Sequence, residues 1–337
     1  MLSAFCRALL FLVQQALGKS LAVSSREKII GRFLCDIYEP KDRKTQGTIV
    51  FVHGMTLMGS RDPRQIMVCR SLAGAGYLVV APFFQEISKT SITEKSIENI
   101  VESSLEILKD PNLAKKEKIA FFAPSFSAAL VIRAASSRSL QDKISAICSV
   151  GTFAHVDHVI EYALQHETGD EYARLIILKN FVELSTGKNP ALRRALELKI
   201  ADNWHRRQEK EQEFPQYLKK LKPKDKKLVL SLIEDRQTAA YHFRRFLPKI
   251  KNLSQAINPV LALDKLKAAL LLLHGKYDPV IPPTESSFLY TELEARKKPV
   301  KLCITSFISH GDNKISLSQV REILRVWSAF AWYFYRV

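Results

Sequence analysis

The 337-residue sequence lacks the features that mark several common protein classes. Its five cysteines are scattered, and no CxxC pair or Cys/His cluster predicts a metal site. We therefore expect reduced thiols in a cytosolic protein without structural zinc. The chain also lacks internal repeats and low-complexity tracts, which argues against a solenoid or a biased, disordered segment.

The apolar run nearest the N-terminus, residues 8–13, is too short to span a bilayer, because Gln14 and Gln15 interrupt it. As a helix, residues 1–24 would carry a narrow polar stripe opposite apolar side chains. The stripe would consist of Ser3, Arg7, Gln14 and Gly18. Three interpretations stay open: a helix on a membrane surface, a helix packed on its own protein, and a secretory signal.

Acidic residues are scarce relative to basic ones, with 34 Asp and Glu against 51 Lys and Arg, which gives a net charge of +17. This imbalance attracts anionic surfaces or substrates at long range. No nucleic-acid partner is expected, because the sequence has no zinc-finger spacing, RNP-like aromatic motif or basic zipper. Peripheral contact with an anionic membrane stays open, and the sequence does not indicate an oligomeric state.

Apolar strand patterns alternate with helical patterns over most of the chain. Residues 48–52 and 268–273 are continuously apolar, as is typical of strands buried on both faces of a parallel sheet. This alternation predicts an α/β fold with a mostly parallel central sheet and helices on both faces. It stops over residues 151–262, where the pattern is helical and charged. We therefore predict a core formed by residues 25–150 and 263–337, with a helical cap inserted between the two parts.

A serine stands where an apolar strand runs directly into a helix, in residues 118–135 (KIAFFAPSFSAALVIRAA). Ser125 occupies the junction, and the small residues Ala123 and Ser127 flank it two positions away. A serine exposed on a tight strand-to-helix turn needs small neighbours, and it can act as a nucleophile. The alternative is that Ser125 only caps the following helix.

Four segments together resemble the α/β-hydrolase superfamily. The run A-P-S-F-S around Ser125 is similar to the nucleophile elbow G-x-S-x-G, although both glycines are replaced. Residues 271–283 (LLLHGKYDPVIPP) resemble the acid loop and place Asp278 at its carboxylate position. His310 follows the last predicted strand, and the HG pair at residues 53–54 resembles the early oxyanion loop.

The resemblance implies a serine hydrolase that cleaves an ester or thioester through an acyl-enzyme. Ser125 would be the nucleophile, His310 the base, and Asp278 the acid that orients the base. The backbone N–H groups of Met55 and Phe126 would form the oxyanion hole. The reaction implied needs no cofactor and no metal.

The substrate would be a small molecule or an acyl chain, selected between the cap and the sheet edge. Seven cap aromatics are candidates for its apolar lining, although cap core is the more usual role for such residues. They are Tyr162, Phe181, Trp204, Phe214, Tyr217, Tyr241 and Phe243. Two alternatives stay open: a lipid hydrolase that docks on a membrane surface, and an inactive hydrolase fold that serves as a binding protein.

Overall fold

A computed structural model of the chain describes residues 2–41, 44–114, 117–165, 170–207, 210–308 and 317–337. Within these ranges, only the backbone is described for residues 204–207, 308 and 317–319. His310, which the sequence predicts to be the base, therefore lies outside the described residues.

One sheet of eight strands organises the fold. The strands are β1 (Val23–Ile30), β2 (Phe33–Pro40), β3 (Thr48–Phe51), β4 (Leu78–Pro82), β5 (Ile119–Pro124), β6 (Ile144–Val150), β7 (Ala269–Gly275) and β8 (Val300–Thr305). Their spatial order is β1-β2-β4-β3-β5-β6-β7-β8. The pairs β1–β2 and β2–β4 are antiparallel, and all other pairs are parallel. The predicted mostly parallel sheet is confirmed.

Helices cover both faces of this sheet. They are α1 (Leu2–Leu17), α2 (Pro63–Gly74), α3 (Gln85–Ser88), α4 (Lys95–Lys109), α5 (Phe126–Ala135), α6 (Val156–Gln165), α7 (Glu171–Phe181), α8 (Glu183–Thr186), α9 (Pro190–Arg207), α10 (Phe214–Lys220), α11 (Pro223–Glu234), α12 (Arg236–Phe246), α13 (Lys251–Ile257), α14 (Pro283–Ala295) and α15 (Leu317–Phe334). Successive strand residues point to opposite faces. Ile49 of β3 therefore packs with α1, α2 and α15, whereas Val50 packs with α4 and α5.

Between β6 and β7, the described residues form helices α6 to α13 and no strand. These helices share one continuous apolar core with the sheet domain. Val159 of α6, Leu178 of α7 and Phe246 of α12 belong to the same buried cluster as Ile132 of α5. The division into a hydrolase core and a cap stays a prediction, because the inserted helices and the sheet domain share this buried cluster.

Helix α1 lies against the protein, between α2 and α15. Its buried residues are Ala4, Ala8, Phe11 and Gln14. The Phe11 ring lies 4.7 Å from that of Phe330, and Trp327 Nε1 donates a hydrogen bond to the Phe5 carbonyl oxygen (2.8 Å). The small residues Ala4 and Ala8 allow this close approach. The larger side chains Leu9 and Val13 lie outside the contact and are exposed. None of the helices in the described ranges is long and apolar enough to cross a membrane.

The buried amide of Gln14 fixes α1 against α2. Its Nε2 donates to the backbone oxygens of Leu10 (2.9 Å) and Ser71 (3.3 Å), while its Oε1 accepts from the N–H of Leu21 (2.7 Å). A methyl group added at Gly74 would overlap with this Oε1. A Cβ at Gly74 is therefore incompatible with the observed position of the Gln14 amide.

We expect Gly74→Ala to lower the free energy of unfolding by about 1–3 kcal/mol, because it forces the buried Gln14 amide away from its partners. This is opposite to the usual effect of about 1 kcal/mol in favour of alanine in a helix. In a Gln14→Ala background the overlap is absent, and the same substitution should be neutral or stabilising. Urea unfolding of the four proteins measures both effects, and equal effects in the two backgrounds would contradict this account of the contact.

Candidate active site

Ser125 is held in a strained turn between β5 and α5. Its backbone has φ 56° and ψ −135°, a region that favours glycine and costs other residues about 1–3 kcal/mol. Its N–H donates to the carbonyl oxygen of Val150 at the end of β6 (2.6 Å). The side chain makes no capping hydrogen bond to α5. Ser125 therefore occupies the N-cap position of α5 without capping the helix through its side chain, and it borders the cavity.

The two residues that replace the elbow glycines are buried without strain of their own. Neither Ala123 nor Ser127 has a positive φ, so neither position needs glycine for its backbone conformation. The Ser127 hydroxyl donates a hydrogen bond to the carbonyl oxygen of His53 (2.6 Å). Ser127 therefore ties α5 to the loop after β3, and its hydroxyl is not available as a competing nucleophile.

The predicted oxyanion donors, Met55 and Phe126, border the same cavity as Ser125. Phe126 is the first residue of α5, so its N–H has no acceptor within the helix. No described residue accepts a hydrogen bond from the N–H of either residue. The N–H of Gly54, the residue before Met55, donates to Gln65 Oε1 (2.9 Å). This bond fixes the loop that carries Met55.

His53 is a structural residue of this loop. Its Nε2 accepts from the N–H of Phe84 (3.0 Å), and its Nδ1 lies 3.0 Å from the Gly54 carbonyl oxygen. Burial lowers the pKa of His53 to about 4, so the ring is neutral at pH 7. Both ring nitrogens are occupied, which agrees with the structural role that the resemblance implies.

Asp278 lies in the loop after β7, with its carboxylate directed at the end of the neighbouring strand β6. Its Oδ1 accepts hydrogen bonds from the N–H groups of Val280 (2.8 Å) and Ile281 (3.0 Å). A Cβ at Gly151 would lie 3.3 Å from Oδ2, so the carboxylate packs against the backbone of that glycine. Asp278 does not itself border the cavity, although Val280 and Ile281 do.

The histidine of the acid loop, His274, has no freedom to act as a base. Its Nδ1 lies 2.7 Å from Ser286 Oγ, and its Nε2 lies 2.9 Å from the Ile281 carbonyl oxygen. Burial lowers its pKa, although the Ile281 carbonyl and the charge of Asp278 act in the opposite direction. The predicted base, His310, follows β8 outside the described residues, and its role stays a prediction. Thr305, the last residue of β8, borders the cavity.

A cavity of about 1030 Å³ opens at Ser125. It lies at the carboxyl ends of the parallel strands, where ligands bind in open α/β sheets. Apolar side chains dominate its wall. Those from the sheet domain include Phe51, Phe122, Val150 and Leu273; those from α6, α7 and the segment before α6 include Phe153, Val156, Ile160, Ile176 and Ile177; those from α1 and α15 include Leu9, Leu12, Val13, Ile323, Val326 and Phe330.

The aromatic lining suggested by the sequence is not the lining observed. Phe181, Phe214 and Phe243 are buried in the apolar core, Tyr162 and Tyr217 do not border the cavity, and Tyr241 is exposed. The Trp204 side chain lies outside the described part of the chain. The sequence also did not indicate that α1 forms part of the wall. Its two faces are both largely apolar, so hydrophobic periodicity could not assign its contacts.

A search of solved structures finds chains of similar fold at low sequence identity. The Pyrococcus horikoshii acylaminoacyl peptidase aligns with a TM-score of 0.51 at 15% identity, over 95% of this chain and 42% of that one. Brefeldin A esterase, a bacterial homologue of human hormone-sensitive lipase, aligns at 0.51 and 15%, over 97% and 81%. A puromycin-hydrolyzing peptidase of Mycobacterium tuberculosis aligns at 0.54 and 14%, over 92% and 38%. The chain has the α/β-hydrolase fold.

The chain spans less than half the length of the two peptidases that it resembles in fold. A scan against models of protein families finds no match, and a search of curated proteins finds none either. At 10–16% identity, the structural similarities show the fold and not a shared substrate.

Proposed function

We propose that the protein is a serine hydrolase that cleaves an ester or thioester through an acyl-enzyme. The observation that carries this proposal is the strained turn that presents Ser125 to a large apolar cavity. Strained backbone conformations cluster at active sites, where the surrounding structure holds them in place. The similar solved structures include two peptidases and an esterase, which supports hydrolysis as the reaction class.

In the proposed reaction, the Ser125 hydroxyl oxygen attacks the carbonyl carbon while His310 takes the hydroxyl proton. The carbonyl oxygen becomes an oxyanion, and the N–H groups of Met55 and Phe126 stabilise it. His310 then gives the proton to the leaving alcohol or thiol, and the acyl group stays on Ser125. Water, deprotonated by His310, releases the acyl group by the same steps, while Asp278 holds the imidazolium in place.

The cavity favours an acyl chain over a small polar substrate. Its volume lies at the upper end of the range of about 300–1,000 Å³ that is typical of ligand pockets. The wall near Ser125 is formed by Phe122, Phe126, Val150 and Phe153, which gain free energy by covering an apolar ligand. A serine at this turn suits acyl transfer through a covalent intermediate.

We expect a fluorophosphonate probe to label the wild type and not Ser125→Ala, because labelling needs the Ser125 oxygen. Ser139→Ala is the matched control. It removes an exposed hydroxyl beyond the end of α5 that does not border the cavity, and it should retain labelling. Intact-mass spectrometry measures the added mass. Labelling that persists in Ser125→Ala would rule out Ser125 as the nucleophile, and absence of labelling in the wild type would favour the inactive binding protein.

A second candidate function, hydrolysis of lipids at a membrane surface, is favoured by an apolar surface on α1 and α15. The exposed residues of this apolar surface are Leu2, Leu9, Val13, Leu17, Val320, Ile323 and Leu324. Leu9, Val13 and Ile323 also border the cavity, so the apolar surface adjoins the cavity mouth. Contiguous exposed apolar residues mark interaction sites.

The charge of the protein favours an anionic lipid as the partner of this surface. Arg321 and Arg325 are exposed on α15 beside Leu324, and the net charge of the chain is +17. Basic side chains beside an apolar surface increase binding to anionic bilayers, because each gains from the surface potential. A bound bilayer would lie directly over the cavity mouth.

We expect the protein to sediment with vesicles of phosphatidylcholine and phosphatidylglycerol, and the double substitution Leu9→Asp and Val13→Asp to release it. Both positions are exposed, so the substitutions leave the core intact, unlike removal of α1. Ile29→Asp, on the exposed side of edge strand β1, is the matched control and should not change binding. Equal binding of all three proteins would contradict docking through the apolar surface.

A further inference from the structure

A single basic side chain, Arg64, stands among the described residues that line the cavity. It belongs to the segment Asp62-Pro63-Arg64 at the start of α2, which the proposed reaction leaves unexplained. The only acidic side chain among the described lining residues is Asp170. A cation in so apolar a wall calls for an explanation, because a charge bordering apolar surface loses part of its hydration.

A buried carboxylate holds the Arg64 side chain in one orientation. Asp62 has a fully buried side chain and caps α2 by accepting from the Arg64 N–H (3.0 Å). It also accepts from Arg64 Nε at Oδ1 (3.0 Å) and from Nη2 at Oδ2 (2.7 Å). Burial acts to raise the pKa of Asp62, but the hydrogen bonds and charge of Arg64 outweigh it and lower that pKa. The pair is therefore ionised at pH 7.

The pairing leaves one edge of the guanidinium available. Arginine has five N–H donors in a planar fork. Asp62 takes one on Nε and one on Nη2, so the second donor of Nη2 and the Nη1 donor beside it are left as a parallel pair at the end of the guanidinium. The Arg64 side chain is 60% exposed, which gives this edge access to a ligand in the cavity. Two parallel N–H groups match the two oxygens of a carboxylate or phosphate.

Arg64 is also close in sequence and space to the predicted oxyanion loop. The next residue, Gln65, accepts from the N–H of Gly54, and a Cβ at Gly54 would lie 3.4 Å from Pro124 Cγ beside Ser125. On the other side, the Tyr172 hydroxyl donates to the Met55 carbonyl oxygen (3.2 Å). An anion on Arg64 would therefore lie on the same wall as the reacting carbonyl.

We propose that Arg64 is an anion-binding subsite, so that the substrate carries a carboxylate or phosphate at its polar end and its acyl chain in the apolar cavity. The substrate class stated here rests on the proposed hydrolase function, whereas anion binding itself does not. Asp62 acts as a positioning residue, because it orients the guanidinium without reaching the ligand. The competing explanation is that the pair only stabilises the start of α2.

Ligand binding can be measured without turnover in the full-length Ser125→Ala protein. Decanoate, decyl phosphate and the neutral decanol displace a fluorescent apolar probe, and the three dissociation constants are compared. We expect Arg64→Gln to weaken binding of at least one of the two anions by about 10-fold or more, since hydrogen bonds to charged groups are lost. Decanol binding should stay unchanged, and Arg64→Lys should recover part of the loss.

Arg70→Gln is the matched control on the same helix. Arg70 donates to Ser20 Oγ (3.0 Å) and does not border the cavity, so its substitution should leave all three constants unchanged. The two anion arms distinguish a carboxylate site from a phosphate site. If Arg64→Gln weakens decanol as much as both anions, or weakens neither anion, the proposal is overturned. Because no turnover is measured, either result is independent of whether Ser125 is a nucleophile.

Discussion

The backbone of Ser125 turns from β5 into α5 at φ 56°, in a conformation that the surrounding contacts must hold against strain. One contact is the hydrogen bond from its N–H to Val150, and another is the bond from Ser127 to the His53 carbonyl oxygen. The rest of the α5 helix is buried against the sheet. Because the turn is fixed, Ser125 and the first residue of α5, Phe126, border the cavity together.

The same constraint organises the groups around the turn. Strands β5, β6 and β7 are adjacent and parallel, so Ser125, Gly151 and Asp278 lie at one edge of the sheet. Helix α2 contributes twice, because Gln65 fixes the loop of Met55 and Arg64 carries a positive charge into the cavity wall. Helices α6, α7 and α1 complete an apolar enclosure, which is the physical reason to expect an acyl chain.

Sequence patterns predicted the buried strands well and the surface-dependent features poorly. The continuous apolar runs gave β3 and β7, and the strand-to-helix junction gave the turn at Ser125. Strand β1 was not predicted, because only its two end residues are buried and its middle is polar. The role of Ser127 as a tie between α5 and the His53 loop depends on a contact 74 residues away in the chain, which spacing cannot reveal. The exposed apolar side of α1 depends on tertiary packing in the same way.

The central claim, that the turn presents Ser125 and two backbone N–H groups to one reacting carbonyl, is tested most directly by a crystal structure of the phosphonylated protein. We predict a covalent bond from Ser125 Oγ to phosphorus, with the phosphoryl oxygen about 2.7–3.1 Å from the backbone nitrogens of Met55 and Phe126. Phosphorus on another residue, or a phosphoryl oxygen out of reach of both N–H groups, would contradict the account.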